Sequence, residues 1–400
     1  MSKKKEIVPK FRFPEFQRDG IDFVHGNKLF KSITNKNHNS DLPILAITQD
    51  QGAVPRDQIE YNVTVTDKSL SNYKVVEVGD FIISLRSFQG GIEYSRFKGI
   101  CSPAYIILRK REENISELYY KYFFKTWRYI QSLNRNLEGI RDGKMISYSQ
   151  FSSVKVPYPR SFKEQQKIAD CLSSIDELID AESRKLKALE KYKKGLMQKL
   201  FPAEGKTLPE WRFPEFRHKN EWRIKPLGKI CTNYDSRRIP ITEKDRVRGE
   251  IPYIGASGVI DDINDFIFDE DLLCVSEDGA NLVARTYPIA FSISGKTWVN
   301  NHAHVLKFSH KYTQDIVESY LNMINLQDFL TGMAQPKLNR AKLDIIPIPL
   351  PEEEEQQKIA GCLSDVDTMI TEQSNKVEQL KAHKKGLMQG LFPSLEEADV

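Results

Sequence analysis

The side chains best equipped for chemistry in this sequence are hydrogen-bonding groups in glycine-bearing loops. Arg86, Ser87 and Gln89 flank Gly90-Gly91; Arg96, Lys98 and Lys110 follow, and Arg141 and Lys144 sit in the run Gly139–Lys144. A second set holds Arg237, Arg238, Arg246 and Arg248, then Lys296, Thr297, Asn300, Asn301 and His302, and last Lys337, Asn339 and Arg340. These types in such loops suit nucleic acid. Arg makes paired hydrogen bonds to guanine, Gln or Asn does so to adenine, and Lys mainly holds phosphate. Any one of these charges taken alone reads better as a solvated surface residue; the case rests on the group.

Catalytic patterns are missing. Gly295-Lys296-Thr297 resembles the end of a phosphate-binding loop, but its first glycine would fall on Ala290. There is no Gly-x-Gly-x-x-Gly and no Asn/Asp-Pro-Pro-Tyr/Phe of an amino-methyltransferase. His302 and His304 would need a third converging ligand to hold a metal, so no metal site is expected. Cys171 and Cys362 occupy equivalent helical positions and read as small buried hydrophobes rather than nucleophiles. The chain is expected to be no catalyst in its own right.

Composition bounds what must position these groups. Four hundred residues, 40% apolar with mean hydropathy −0.49, describe a soluble chain of two or three domains. No run of eighteen apolar residues spans a membrane, and the basic start Met1–Pro9 lacks the apolar core of a signal peptide. Five cysteines without a Cys-x-x-Cys suit a reducing cytoplasm. The net charge of +4 is uneven: residues 1–160 carry +9, 161–205 +1, 206–350 zero and 351–400 −6.

An internal repeat fixes the organisation. Residues 164–202 and 355–393 are identical at 23 of 39 positions without a gap, at an offset of 191. A leader, Arg12-Phe13-Pro14-Glu15-Phe16, returns as Arg212–Phe216. The order is therefore leader, variable region and helical block, twice. In the first block Ile168, Ile175, Glu182, Leu189 and Leu196 form one heptad seam, beside Leu172, Ile179, Leu186, Lys193 and Leu200. In the second, Ile359, Val366, Gln373, Leu380 and Leu387 run beside Leu363, Ile370, Val377, Lys384 and Leu391. The 3.5-residue period predicts two long helices paired as a coiled coil. If they run antiparallel, Leu391–Pro393 returns to Arg12–Phe16 and the chain closes into a pseudo-two-fold object able to bind two copies of one partner.

The variable regions read as mixed α and β. Strands are expected at Ile44–Ile47, Phe81–Leu85, Tyr105–Leu108, Leu272–Ser276, Ile289–Ile293 and His304–Phe308, and helices at Ile115–Leu133 and Thr313–Leu330. The fold class is α+β: two mixed α/β domains, 1–160 and 206–350, separated by antiparallel helical regions at 161–205 and 351–400.

The repeated Glu-Gln-Gln-Lys-Ile-Ala and Lys-Lys-Gly-Leu-Met-Gln-x-Leu-Phe-Pro segments resemble the helical regions of type I restriction-modification specificity subunits. Gly79–Gly91 and Trp298–His304 are similar to stretches of their target recognition domains. The resemblance covers nearly the whole chain. It implies a cytoplasmic, non-catalytic subunit whose two domains each read one half of an interrupted, asymmetric target in double-stranded DNA. It further implies two methylation subunits carrying S-adenosylmethionine and adenine-N6 chemistry. Restriction subunits using ATP and Mg would complete the complex, with no membrane involved. One feature departs from the pattern: Trp222–Gly228 has only Phe23–Leu29 as a faint counterpart in the first half. Two other classes stay open, a bivalent adaptor for a non-nucleic ligand and an enzyme with an unrecognised site.

Overall fold

The computed structural model describes residues 8–39, 41–59, 70–135, 146–332 and 335–393; Arg141 and Lys144 lie outside them. Two compact units emerge, one of residues 1–182 with 376–400 and one of residues 183–375. Each long helix thus contributes to both units.

In the first unit, β1 (Ile21–His25) pairs antiparallel with β10 (Lys155–Pro159), the strand just before the first long helix. A four-stranded sheet has the order β2-β9-β6-β7, where β2 is Phe30–Ile33, β6 Phe81–Ile83, β7 Glu93–Tyr94 and β9 Ile106–Lys110. Smaller antiparallel pairs are β3 (Leu45–Thr48) with β4 (Gly52–Pro55) and β5 (Lys74–Val76) with β8 (Gly99–Cys101). Phe81, Ile82 and Ile83 are all fully buried, so β6 is a core strand covered on both faces. Phe30 meets Phe81 and Tyr120 edge-on, at centroid distances of 5.4 and 5.1 Å.

The second unit repeats this plan with little sequence in common. Strand β11 (Arg223–Pro226) pairs antiparallel with β20 (Pro347–Leu350), again the strand before a long helix. The main sheet has the order β12-β19-β16-β17, with β12 Thr232–Asn233, β16 Leu272–Ser276, β17 Ala290–Ile293 and β19 Ala303–Lys307. A second sheet has the order β14-β13-β18-β15, where β15 is Phe268–Asp269, and contains the hairpin β13 (Arg248–Gly255) and β14 (Gly258–Ile263). There β13 runs parallel to β18 (Lys296–Val299), as Ile44 bridges Ile100 in parallel in the first unit. The faint counterpart Phe23–Leu29 therefore occupies the same place in the topology as Trp222–Gly228.

The expected helix Ile115–Leu133 is two helices, Glu117–Phe123 and Trp127–Arg135. The break lets the Thr126 hydroxyl bond the Phe123 carbonyl and turns Lys125 inward. The expected Thr313–Leu330 stops at Met323, because the Arg285 guanidinium donates to the carbonyls of Leu321 and Ile324 and closes the helix end. Strand β6 ends at Ile83 because Ser84 starts a turn closed by the Ser87 hydroxyl.

The long helices, Phe162–Leu200 and Glu353–Leu391, have 39 residues each, about 58 Å at 1.5 Å per residue. In the first unit Asp176 pairs with Lys384 at 2.5 Å and Glu182 with Lys376 at 2.6 Å, so the helices run antiparallel. In the second, Lys193 pairs with Asp367 at 2.5 Å. The two lysines that interrupt the apolar seams thus face aspartates at repeat-equivalent positions. The seam itself is not uniform. Ile168 and Leu172 join the core of the first unit, and Ile359 and Leu363 that of the second. Val366 and Val377 are buried, while Ile175, Ile179, Leu186, Leu189, Ile370 and Leu380 are half-buried. The start of each helix packs on its own domain, and the central turns depend on the helix partner.

Candidate nucleic-acid interface

A base-reading side chain must be exposed and must have hydrogen-bonding capacity that the fold has not used. In the first unit, strand β6 leads into a turn that ends in the single-turn helix Ser87–Gly90, with Arg86 as its N-cap. The side chains of Arg86 and Gln89 are exposed, and among the described residues neither makes a hydrogen bond or ion pair. Ser87 is buried and its hydroxyl accepts the Ser84 N–H at 2.9 Å, so it builds the turn instead of facing outward. Gly91 closes the helix at φ +83°, and a Cβ there would stand 2.2 Å from the Phe124 carbonyl oxygen. Only glycine fits that combination.

The second unit solves the same corner differently. Helix Asn281–Ala284 follows β16, and its C-cap is Arg285 at φ +51°, the one positive-φ non-glycine among the described residues. Arg285 replaces close backbone approach with its two carbonyl contacts.

Around that corner four segments converge on Glu277 and Asp278. The Glu277 N–H donates to the His302 carbonyl at 2.9 Å, and the Leu338 N–H donates to the Glu277 carbonyl at 2.8 Å. The Glu277 carboxylate pairs with Arg238 at 2.8 Å and Lys337 at 3.3 Å, and Asp278 pairs with His302 at 2.8 Å. Asn300 is buried and its side-chain oxygen accepts the His302 N–H, which leaves Asn301 exposed at the tip. Burial would raise the Asp235 carboxyl, yet its bonds to His304, Val305 and Arg238 hold it below the usual range. His304 is buried between Asp235 and the Leu338 carbonyl, at 2.6 and 2.7 Å. Both its ring nitrogens are therefore used inside the fold. Among the described residues no group of three His, Cys, Asp or Glu could hold a metal.

In the second unit the structure brings together Arg238, Asn300, Asn301, His302 and Lys337 around Glu277 and Asp278. Arg237 lies over the rings of Tyr234 and Phe268 and pairs with Glu270 at 3.1 Å. Arg246 covers Tyr253 and pairs with Asp261 at 3.1 Å. Thr297 is buried, and Lys296 lies over Phe266. Asn339 caps a short helix by accepting the Lys342 N–H, and Arg340 faces Asp344 at 3.6 Å. In the first unit Lys98 pairs with Glu77, and Lys110 with both Glu113 and Glu117 at 2.9 Å. Arg96 and Arg248 are exposed. Sequence reasoning missed Asp235, Glu277 and Asp278, the carboxylates that organise the second corner.

Lys125 is a further residue the sequence does not single out. Its ammonium donates to the carbonyls of Gln49 and Gly90, both at 3.0 Å, and pairs with Glu93 at 2.5 Å. Burial pushes the Glu93 carboxyl up to about 7, against the pull of Lys125.

Comparison with known proteins follows this geometry. The family described as the type I restriction modification DNA specificity domain matches residues 19–191 and again 219–382. The MjaVIII type I restriction enzyme specificity subunit of Methanocaldococcus jannaschii is 24% identical over 355 residues, 82% of this chain and 80% of that one. A putative type I specificity subunit of Haemophilus influenzae is 33% identical over 152 residues, 38% of either chain. The crystal structure of a type I restriction-modification S subunit from M. genitalium superimposes with a TM-score of 0.61 at 15% identity, covering 97% of this chain and all of that one.

Proposed function

The chain belongs to the type I restriction-modification DNA specificity family, with two specificity domains, and we propose that each domain reads one half of an interrupted, asymmetric DNA target. The observation that carries this reading is the repeated corner after β6 and β16. The same sheet topology presents different side chains there: Arg86 and Gln89 in one unit, and Asn301 in the other, beside His302 and Lys337, which are exposed but paired with Asp278 and Glu277. One scaffold with two different sets of hydrogen-bonding groups suits two different half-sites.

The long helices act as spacer and as docking surface for two methylation subunits, through which restriction subunits are recruited. Leu178 and Met369 support the docking role. They are equivalent in the repeat, each lies on a long helix, and each is exposed, at 43% and 49%. Large apolar side chains left bare on a polar helix face suit a partner surface, and two equivalent ones suit two copies of the same partner. In this scheme S-adenosylmethionine belongs to the methylation subunits and ATP with Mg to the restriction subunits, while this chain supplies recognition.

The reading is tested by mapping N6-methyladenine across the genome in cells with and without the chain. The expected result is an asymmetric bipartite motif that disappears with the chain. Methylation at an unchanged motif in its absence would overturn the proposal.

A further inference from the structure

We infer that the tip of the β3–β4 hairpin belongs to the base-reading surface of the first unit, with Gln51 contacting a base edge beside Arg86 and Gln89. The inference rests on the DNA-reading function proposed above and adds an element that the sequence did not mark.

The hairpin tip and the Arg86 turn touch. The Gln49 side-chain amide donates to the Arg86 carbonyl at 3.3 Å, and a Cβ on Gly90 would stand 2.9 Å from the Gln49 carboxamide carbon. The Lys125 ammonium joins them from beneath, bonding a carbonyl of each turn while pairing with the buried Glu93. The tip is also fixed within itself. The Thr48 hydroxyl donates to the Gly52 carbonyl at 3.0 Å and accepts the Gln51 N–H at 3.1 Å. Gly52 sits at φ +76°, where a Cβ would stand 2.5 Å from the Tyr94 carbonyl oxygen. Two short turns are thereby locked to one another with little freedom to lose on binding.

On this locked surface Gln51 is exposed, and its carboxamide makes no hydrogen bond among the described residues. A free carboxamide can bond both N6 and N7 of adenine. The second unit repeats the arrangement: the Ser276 hydroxyl, at the end of β16, donates to the Ala256 carbonyl at the tip of the β13–β14 hairpin, at 2.6 Å. Both units therefore bring a hairpin tip to the corner that carries their exposed polar side chains. Lys125 is a positioning residue here, since its donors are spent on the two turns and on Glu93.

The test uses the chain assembled with its methylation subunits and a library of target variants. Gln51→Ala should lose about tenfold or more of its discrimination at one base pair, in the half-site read by the first unit. Assembly and the salt dependence of binding should stay as in the parent. Gln51→Glu should shift the preference at that same base pair, because a carboxylate accepts from cytosine N4 and repels adenine N7. Lys125→Met should blunt discrimination at several positions of that half-site without changing the salt slope, whereas loss of a phosphate contact lowers the slope. Arg86→Ala is the reference. If it relaxes the target while both Gln51 variants keep full discrimination, the hairpin inference falls and the reading function stands. If the parent complex shows no sequence preference, the reading function itself falls. A Gln51→Ala chain that fails to assemble also overturns the inference, because that side chain would then be serving the fold.

Discussion

The guanidinium of Arg12 grips the carboxylate of Glu164 with two hydrogen bonds, Nε to Oε1 at 2.7 Å and Nη2 to Oε2 at 2.9 Å. Arg212 grips Glu355 in the same way, at 2.8 and 2.6 Å. Each arginine opens a leader motif, and each glutamate opens a repeated helical block. Beside each pair the leader also meets the end of the other long helix. The Phe11 N–H donates to the Gly390 carbonyl at 2.8 Å in the first unit, and the Trp211 N–H to the Lys199 carbonyl at 2.9 Å in the second. This is the circular order of motifs written in hydrogen bonds, and it explains why leader and helix are repeated together.

Both ion pairs are buried, so removing one partner strands the other. Arg12→Met should cost about 3–5 kcal/mol in unfolding free energy, and Arg212→Met a similar amount. Arg12→Met with Glu164→Leu should recover much of that loss, since no charge is left unpaired. Urea unfolding of the three variants checks this. A double variant as unstable as the single would show that the pair acts through something other than its charges.

Base readers and phosphate holders separate by salt dependence. Arg86→Ala should lose about 1–3 kcal/mol of discrimination at one position. Lys110 is already held by Glu113 and Glu117, so Lys110→Ala should leave the salt slope nearly unchanged. The exposed Arg248 makes no hydrogen bond or ion pair among the described residues, and Arg248→Ala should lower the slope by roughly one unit. Binding isotherms at several salt concentrations distinguish these outcomes. A full-unit fall for Lys110→Ala would mean that DNA displaces both glutamates.

The repeat and the heptads are legible because they live in local sequence. The likeness of the two variable regions is not. Gly91 and Arg285 close equivalent helices with positive φ, one by lacking a side chain and the other by using its side chain to cap a neighbour. The site is legible in part. Arg86 and Gln89 stand out by type, and the fold leaves both exposed. Lys110 and Arg238 looked just as suitable, but the carboxylates that occupy them, Glu117 and Glu277, come from other segments of the chain. Only folding reveals which donors are already spent.

Leu178 and Met369 offer a test of paired docking. Leu178→Asp should weaken binding of one methylation subunit, Met369→Asp the other, and the double variant both. Analytical ultracentrifugation of titrated complexes would read two-to-one, one-to-one and free chain in that order. Unaltered two-to-one assembly by the double variant would place the docking surface elsewhere.

Glu93 gives a pH signature. Its carboxyl is raised in the fold to about 7, so the proton is held more tightly folded than unfolded. The stability this contributes is complete below the ordinary carboxylate value near 4.5 and is lost as pH rises through about 7. Between pH 5.5 and 8 the parent should lose roughly 1–3 kcal/mol more than Glu93→Gln does, by urea unfolding. Parallel losses in the two proteins would remove Glu93 from this role.

The central claim is that the two domains read separate halves of one target, and a domain exchange tests it most directly. Residues 206–350 are replaced by the corresponding region of another specificity subunit, and the N6-methyladenine motif is sequenced from cells carrying the hybrid. The account predicts that one half of the motif changes to that of the donor while the other half and the spacing between them stay as in the parent. A motif in which both halves change together would contradict it.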